Sequence, residues 1–272
     1  MTSSNNPHKT NNKNTKDMKF VGIIPARYAS TRFPAKVLAD LNGKTVIQRV
    51  YEQVKDCFDD IYIATDDQRI ADEATSFGAK AIMTSEECKN GTERCFDACL
   101  KADIQCDVVI NIQGDEPFIQ RKQVEALIKC FDDERTDIAT LVKPFAPEDG
   151  TERLFNPNTP KVVLDDSHFA MYFSRSVIPH LRGIDQSEWL SNHTYYKHLG
   201  IYAYRLDILK QLTSLPQTPL EKMESLEQLR WLEHGYKIKV GITDIETIGI
   251  DTPEDLERAK EFAASIGLCW NR

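Results

Sequence analysis

No run of about 18 apolar residues occurs in this 272-residue chain, so no membrane-spanning helix is expected. The N-terminus also lacks the apolar centre of a secretory signal, and a cytoplasmic location is expected. Positive charge is not in excess. Lys and Arg number 34 against 42 Asp and Glu, a net charge of −8, which argues against a nucleic-acid partner. The seven cysteines are odd in number and scattered, which disfavours a disulfide framework. Cys95 and Cys99 lie four apart on an expected helix, but no matching Cys or His pair stands near them. Packed, reduced thiols fit them better than a metal. Both common phosphate loops are missing too, since neither G-x-x-x-x-G-K-[ST] nor G-x-G-x-x-G occurs.

Residues 1–17 are almost bare of apolar side chains, being mainly Asn, Thr, Ser and Lys. Such a segment cannot offset its ordering entropy and is expected to be a disordered tail. The remainder, 18–272, reads as a single domain with no internal repeat or linker. At 41% hydrophobic and 28% charged residues it has the composition of an ordinary globular protein.

From residue 20 onward, short β-branched runs alternate with helical stretches. Strands are expected at 20–24, 61–65, 81–84, 108–112 and 138–142, with helices at 45–56, 68–77, 92–102 and 121–131. That alternation implies an α/β fold with a mostly parallel sheet. The rhythm breaks at about 154–204. There, 161–165 and 169–173 read as an antiparallel hairpin, and 198–204 as a further extended segment, together an insertion suited to cover a site or form a dimer contact. Residues 220–233 read as one helix ended by Gly235, 237–242 as a strand, and Thr252-Pro253 as the start of a closing helix with Asp255 completing a capping box.

The loop after the first strand is the most telling stretch. It carries Arg27, Arg32 and Lys36, the hydroxyls of Ser30 and Thr31, and two prolines that stiffen it. Alone it signals either an anion near a strand end or a solvated basic loop. Gln113-Gly114-Asp115-Glu116-Pro117 follows the most apolar strand and reads either as a plain turn or as a carboxylate held against a phosphate-bound cation. Asp251 precedes a helix N-cap, where the helix dipole favours a carboxylate whatever its function. Nothing in the spacing brings Asp251 to Asp115.

The string I-I-P-A-R-x-x-S-T-R-x-P-x-K at 23–36 resembles the signature of sugar-acid cytidylyltransferases, most closely the 3-deoxy-manno-octulosonate (Kdo) cytidylyltransferase family. Q-G-D-E-P at 113–117, G-T-E-R at 91–94, F-S-R at 173–175, H-L-G-I-Y at 198–202 and G-I-D-T-P-E-D at 249–255 match further motifs of that family in order, covering the chain from 18 to about 263. The resemblance implies a Rossmann-like nucleotide-diphospho-sugar transferase fold and a homodimer formed through the insertion. It implies transfer of CMP from CTP to the anomeric hydroxyl of Kdo, releasing pyrophosphate and activating Kdo for lipopolysaccharide synthesis. Asp115 and Asp251 would share Mg²⁺ and, with Arg27 and Lys36, form the catalytic group. Pro25, Ala26, Arg27, Ser30, Lys36 and Arg94 would bind the nucleotide, and Gln113, Arg175, Arg182, His198, Tyr202 and Glu227 the sugar acid. The rivals are a cytidylyltransferase for another sugar acid, such as 8-amino-Kdo or a nonulosonic acid, and a silent CTP-binding regulatory domain. One departure stands out. The family has Gly before its lysine and this chain has Ala35, which would be strained if the backbone there turned left-handed.

Overall fold

The computed structural model describes residues 15–246 and 248–266. Its centre is a nine-stranded sheet. The strands are β1 (Phe20–Ala26), β2 (Asp60–Thr65), β3 (Lys80–Met83), β4 (Val108–Asn111), β5 (Ile138–Pro144), β6 (Lys161–Leu164), β7 (Ala170–Ser174), β8 (Tyr196–Arg205) and β9 (Ile238–Ile242). The main path runs β3-β2-β1-β4-β8-β5-β9. β1 pairs parallel with β2 and β4, β2 with β3, and β5 with β9. Only β8 in that path is reversed, antiparallel to both β4 and β5.

The helices are α1 (Val46–Val54), α2 (Gln68–Ser76), α3 (Gly91–Lys101), α4 (Arg121–Lys129), α5 (Gly150–Phe155), α6 (Trp189–Asn192), α7 (Leu206–Leu212), α8 (Pro219–Glu224), α9 (Glu227–Glu233) and α10 (Pro253–Ser265). Ile47, Val50 and Val54 of α1 bury one face of the sheet together with Ile70 of α2 and Val124 and Leu127 of α4. Cys95, Ala98 and Cys99 of α3 bury the other, with Ile208 and Leu209 of α7 and Leu229 and Trp231 of α9. The two cysteines are therefore packed, free thiols. A smaller cluster joins Leu256, Ala259 and Ala263 of α10 to Val46 and Phe118. None of the helices described is long and apolar enough to cross a membrane.

Three expectations need correction. The segment 198–204 is not part of the antiparallel insertion: it lies inside β8, between β4 and β5, and only the β6–β7 hairpin is added, pairing with Tyr196 and Lys197 at the start of β8. The helix expected at 220–233 is two helices, because Ser225 turns left-handed at φ 51° and separates α8 from α9. Of the tail expected to be disordered, Thr15–Asp17 forms a short 3₁₀ turn and residues 1–14 lie outside those described.

The chain runs β1, β2, β3 outward, then returns to place β4 on the far side of β1. The carboxyl ends of β1 and β4 thus diverge at a switch point, where open α/β sheets hold their ligands.

Candidate functional site

A cavity of about 680 Å³ opens at that switch point. Pro25 and Ala26 line it from the end of β1 and Arg27, Ser30, Arg32 and Lys36 from the loop that follows, with Arg94 of α3 and Gln113, Gly114 and Asp115 of the loop after β4. Asp251, just ahead of α10, completes the wall. The two loops lie so close that a Cβ on Gly114 would come within 2.9 Å of the Pro25 carbonyl oxygen, a contact with backbone that cannot yield. Only glycine fits there.

Asp115 and Asp251, 136 positions apart, meet at one ammonium. Lys36 Nζ donates to Asp115 Oδ2 at 2.5 Å and to Asp251 Oδ1 at 2.8 Å. Arg32 donates to the other oxygen of Asp251 at 2.9 Å. The backbone fastens the same junction: Ile250 N–H donates to the Asp115 carbonyl at 2.9 Å, and Asp255 Oδ2 accepts the amides of Asp251 and Thr252. Burial opposes the charge on Lys36, but the two aspartates outweigh it and its pKa is raised. Two carboxylates converging on one point are hard oxygen ligands. They suit Mg²⁺, which takes one or two protein carboxylates and completes its shell from water and phosphates. Among the described residues no group of three or more His, Cys, Asp or Glu side chains is placed to hold a metal ion.

Lys36 sits immediately after the departure at Ala35, which is left-handed at φ 58° and ψ 20°. The Ala35 N–H closes the loop by donating to the Tyr28 carbonyl at 2.9 Å. The strain foreseen from the sequence is therefore present. Arg27 lines the cavity with its side chain exposed. Arg94 is not the exposed helix-end charge it could have been. It is buried, donating to Asp66 Oδ2 at 2.6 Å and to Thr84 Oγ1 at 2.5 Å, and it meets the cavity as a fixed, paired cation.

Of the expected sugar-side residues, Gln113 alone lines this cavity, donating to Asn111 Oδ1 at 3.3 Å. Glu227 reaches it indirectly. Asn90 of the rim donates to one Glu227 oxygen at 3.0 Å and Thr92 to the other at 3.0 Å, while Arg230 holds the first at 2.7 Å. Desolvation raises the Glu227 pKa against the pull of Arg230. His198 and Tyr202 stand together on β8 with ring centroids 5.4 Å apart, and Tyr202 packs edge-on against Trp231. Thr140 Oγ1 lies 2.8 Å from the Ile201 carbonyl and 3.0 Å from His198 Nε2. A hydroxyl has one proton, so if Thr140 gives it to the carbonyl, it accepts from His198 Nε2–H. Burial pushes the His198 pKa down to about 3, so the ring is neutral and its Nδ1 is an acceptor. Arg175 is engaged elsewhere: its guanidinium donates to the carbonyls of Glu224, Pro157 and Ser225 at 2.6, 3.0 and 3.3 Å, tying the β6–β7 hairpin to the end of α8. Arg182 is exposed in the loop beyond.

Asn90, Thr92, Asp66 and Arg230 escaped the sequence reading. Asn90 is legible as the N-cap of α3, accepting from Glu93 N–H at 2.8 Å, but its bond to Glu227 spans 137 positions and leaves no local trace.

A doubly wound sheet with a cationic loop and a pair of carboxylates at its carboxyl edge defines a nucleotidyltransferase. Residues 21–238 match the model of the cytidylyltransferase family. The 3-deoxy-manno-octulosonate cytidylyltransferases of Phocaeicola vulgatus and Bacteroides thetaiotaomicron are each 63% identical over 245 residues, covering 90% of this chain and 97% and 98% of theirs. A solved CMP:2-keto-3-deoxy-manno-octonic acid synthetase complexed with CTP superposes with a TM-score of 0.83 at 38% identity, over 91% of this chain and 99% of its own. The chain belongs to the cytidylyltransferase family, within its 3-deoxy-manno-octulosonate branch.

Proposed function

We propose that this protein transfers CMP from CTP to the anomeric hydroxyl of Kdo, giving CMP-Kdo and pyrophosphate. The observation that carries this reading is the convergence of Asp115 and Asp251 on Lys36 at the mouth of the β1/β4 crevice. The activity for which the relatives are named supports the choice of nucleotide and sugar acid.

In this reading the sugar hydroxyl attacks the α-phosphorus in line and pyrophosphate leaves, with no covalent enzyme intermediate. A divalent ion held by Asp115 and Asp251, Mg²⁺ by its preference for oxygen, would polarise the α-phosphate and lower the pKa of the attacking hydroxyl. Arg27 and Lys36 neutralise the phosphates and the departing pyrophosphate from fixed positions, at little reorganisation cost. Ser30 and the backbone at Pro25 and Ala26 shape the phosphate loop. Arg94, locked by Asp66 and Thr84, presents a rigid donor edge to the base. Gln113, His198, Tyr202 and Glu227 take the sugar hydroxyls, His198 through the acceptor Nδ1. Arg182 and Arg175 serve the carboxylate end, which asks Arg175 to release at least part of its hold on α8.

The same reading includes a homodimer through the hairpin region, where Met171 and Met223 present exposed apolar side chains. It also includes a cytoplasmic site of action, which suits the free thiols, and a role in supplying lipopolysaccharide synthesis. Pyrophosphate release from CTP tests the central reaction. It should require Kdo and Mg²⁺ together, and should fail with nonulosonic acids or 8-amino-Kdo in place of Kdo. Release that ignores the sugar acid would reject the assignment.

A further inference from the structure

Of the cations lining the cavity, Lys36 and Arg32 bond its two aspartates, and they do so unevenly. Lys36 bridges Asp115 and Asp251, whereas Arg32 touches only the far oxygen of Asp251. The Lys36 side chain is 14% exposed and that of Arg32 is 65% exposed. Water therefore screens the Arg32 pair strongly and the Lys36 pair weakly. An ion settling between the two aspartates would meet the Lys36 ammonium, which lies on one oxygen of each. An ammonium and a divalent ion cannot share that spot, because each would face the other's charge across a contact distance.

We propose that Lys36 is an internal counter-ion that closes the Asp115–Asp251 pair to divalent cations until a nucleoside triphosphate draws the ammonium away. The inference rests on the reading of that pair as a metal site. A triphosphate brings several negative charges into the same cavity, within reach of a flexible four-carbon side chain whose ammonium binds as a point charge. When Lys36 turns to the phosphates, both carboxylates lose their cation together and become a hard-oxygen site. Arg32, on the exposed side, then remains as a weak tether on Asp251 alone. Nucleotide and metal consequently favour one another's binding by the same factor, as linkage demands. Lys36 thus has two partners in turn, and the metal is captured only where there is a phosphate to act on.

The test is Mn²⁺ titration of the nucleotide-free full-length protein by calorimetry, where no CTP is present to chelate the ion. Lys36→Gln should bind Mn²⁺ at least about tenfold more tightly than the wild type, within the usual range of coupling between sites. Arg32→Gln should shift affinity in the same direction by only about twofold, as befits an exposed pair. Adding Asp115→Asn to Lys36→Gln should abolish the gain, which ties it to these carboxylates. Melting followed by circular dichroism shows which variants are folded. If Lys36→Gln is not, Lys36→Met carries the same test, and an Mn²⁺ affinity equal to or below that of the wild type in a folded Lys36 variant would overturn the proposal. A folded Lys36→Gln that binds Mn²⁺ no more tightly than the wild type would overturn it outright. If the wild type meanwhile releases pyrophosphate in a manner dependent on Mn²⁺ and Asp115, the metal reading stands and only this inference falls. Turnover needing no divalent ion would overturn both.

Discussion

The two halves of the carboxyl edge use their polar side chains differently. On the nucleotide half, Lys36, Arg32, Asp115 and Asp251 bond chiefly to one another, and they do so at the cavity wall. On the sugar half, Arg175, Glu227 and His198 are committed to α8, to α3 with Arg230, and to Thr140. The first arrangement is charge balanced within a site and ready to exchange partners. The second is charge and hydrogen bonding spent on holding elements together. The difference teaches that side chains which bond one another at a cavity wall can trade those partners for a ligand, whereas side chains that tie elements together must first release them. Arg175 is the clearest case of the second kind, since its guanidinium is spent on the carbonyls of Glu224, Pro157 and Ser225.

The sharpest break between the halves is expected from Asp115→Ala. Turnover should fall by about a thousandfold or more, because half of the carboxylate pair is lost, while the melting temperature stays near that of the wild type. Near-normal turnover would remove the metal role of this half. Arg175→Met should show the opposite pattern. Losing a charged donor to three carbonyls should cost about 2 kcal/mol of stability in urea unfolding, with the KM for CTP unchanged. A stability unchanged within error would contradict the scaffold bonds, and a KM for the sugar acid left unchanged would remove Arg175 from the carboxylate end of the substrate.

A pH-dependent effect concerns His198. Its folded pKa near 3 lies below the ordinary value of 6.5. As pH falls through 6.5 the unfolded chain takes up a proton that the folded protein refuses until about pH 3. Stability is therefore lost progressively across that window, and none of this loss occurs above it. His198→Gln should flatten the fall in urea midpoint between pH 7 and about pH 4 relative to wild type. Parallel curves for the two proteins would place the ring in water. The smallest effect is Ala35→Gly, expected to stabilise by about 0.5–1 kcal/mol. Removing Cβ relieves the left-handed penalty, and the extra freedom of the unfolded glycine returns part of the gain. A loss of stability would mean that the methyl packs better than its backbone suggests.

Much of the fold was legible because its signals are local. The strands β1 to β5 and helices α1 to α4 emerged from apolar periodicity, and α10 from Thr252, Pro253 and Asp255. The position of β8 was not legible. An extended run with apolar side chains on both faces looks the same at the centre of a sheet as in an insertion, and pairing with β4 and β5 is a tertiary fact. Nor was the break between α8 and α9, since Ser225 is neither Gly nor Pro, yet it takes the left-handed turn. At the site, residue types and loops suggested an anion pocket, whereas the meeting of Asp115 with Asp251 came only from resemblance. The Ile250–Asp115 backbone bond that enforces it has no counterpart in composition or spacing. The engagement of Glu227 with Asn90 and Thr92 was equally hidden, because all three are ordinary polar residues of helix ends.

The most direct check on the paired-carboxylate site is a crystal of the protein grown with CTP and Mn²⁺, with the ion located by its anomalous scattering. The manganese peak should lie within direct coordination distance of an oxygen of Asp115 and of one of Asp251, with Lys36 Nζ moved onto a phosphate oxygen. A peak coordinated by the triphosphate alone, with both aspartates still on Lys36, would contradict it.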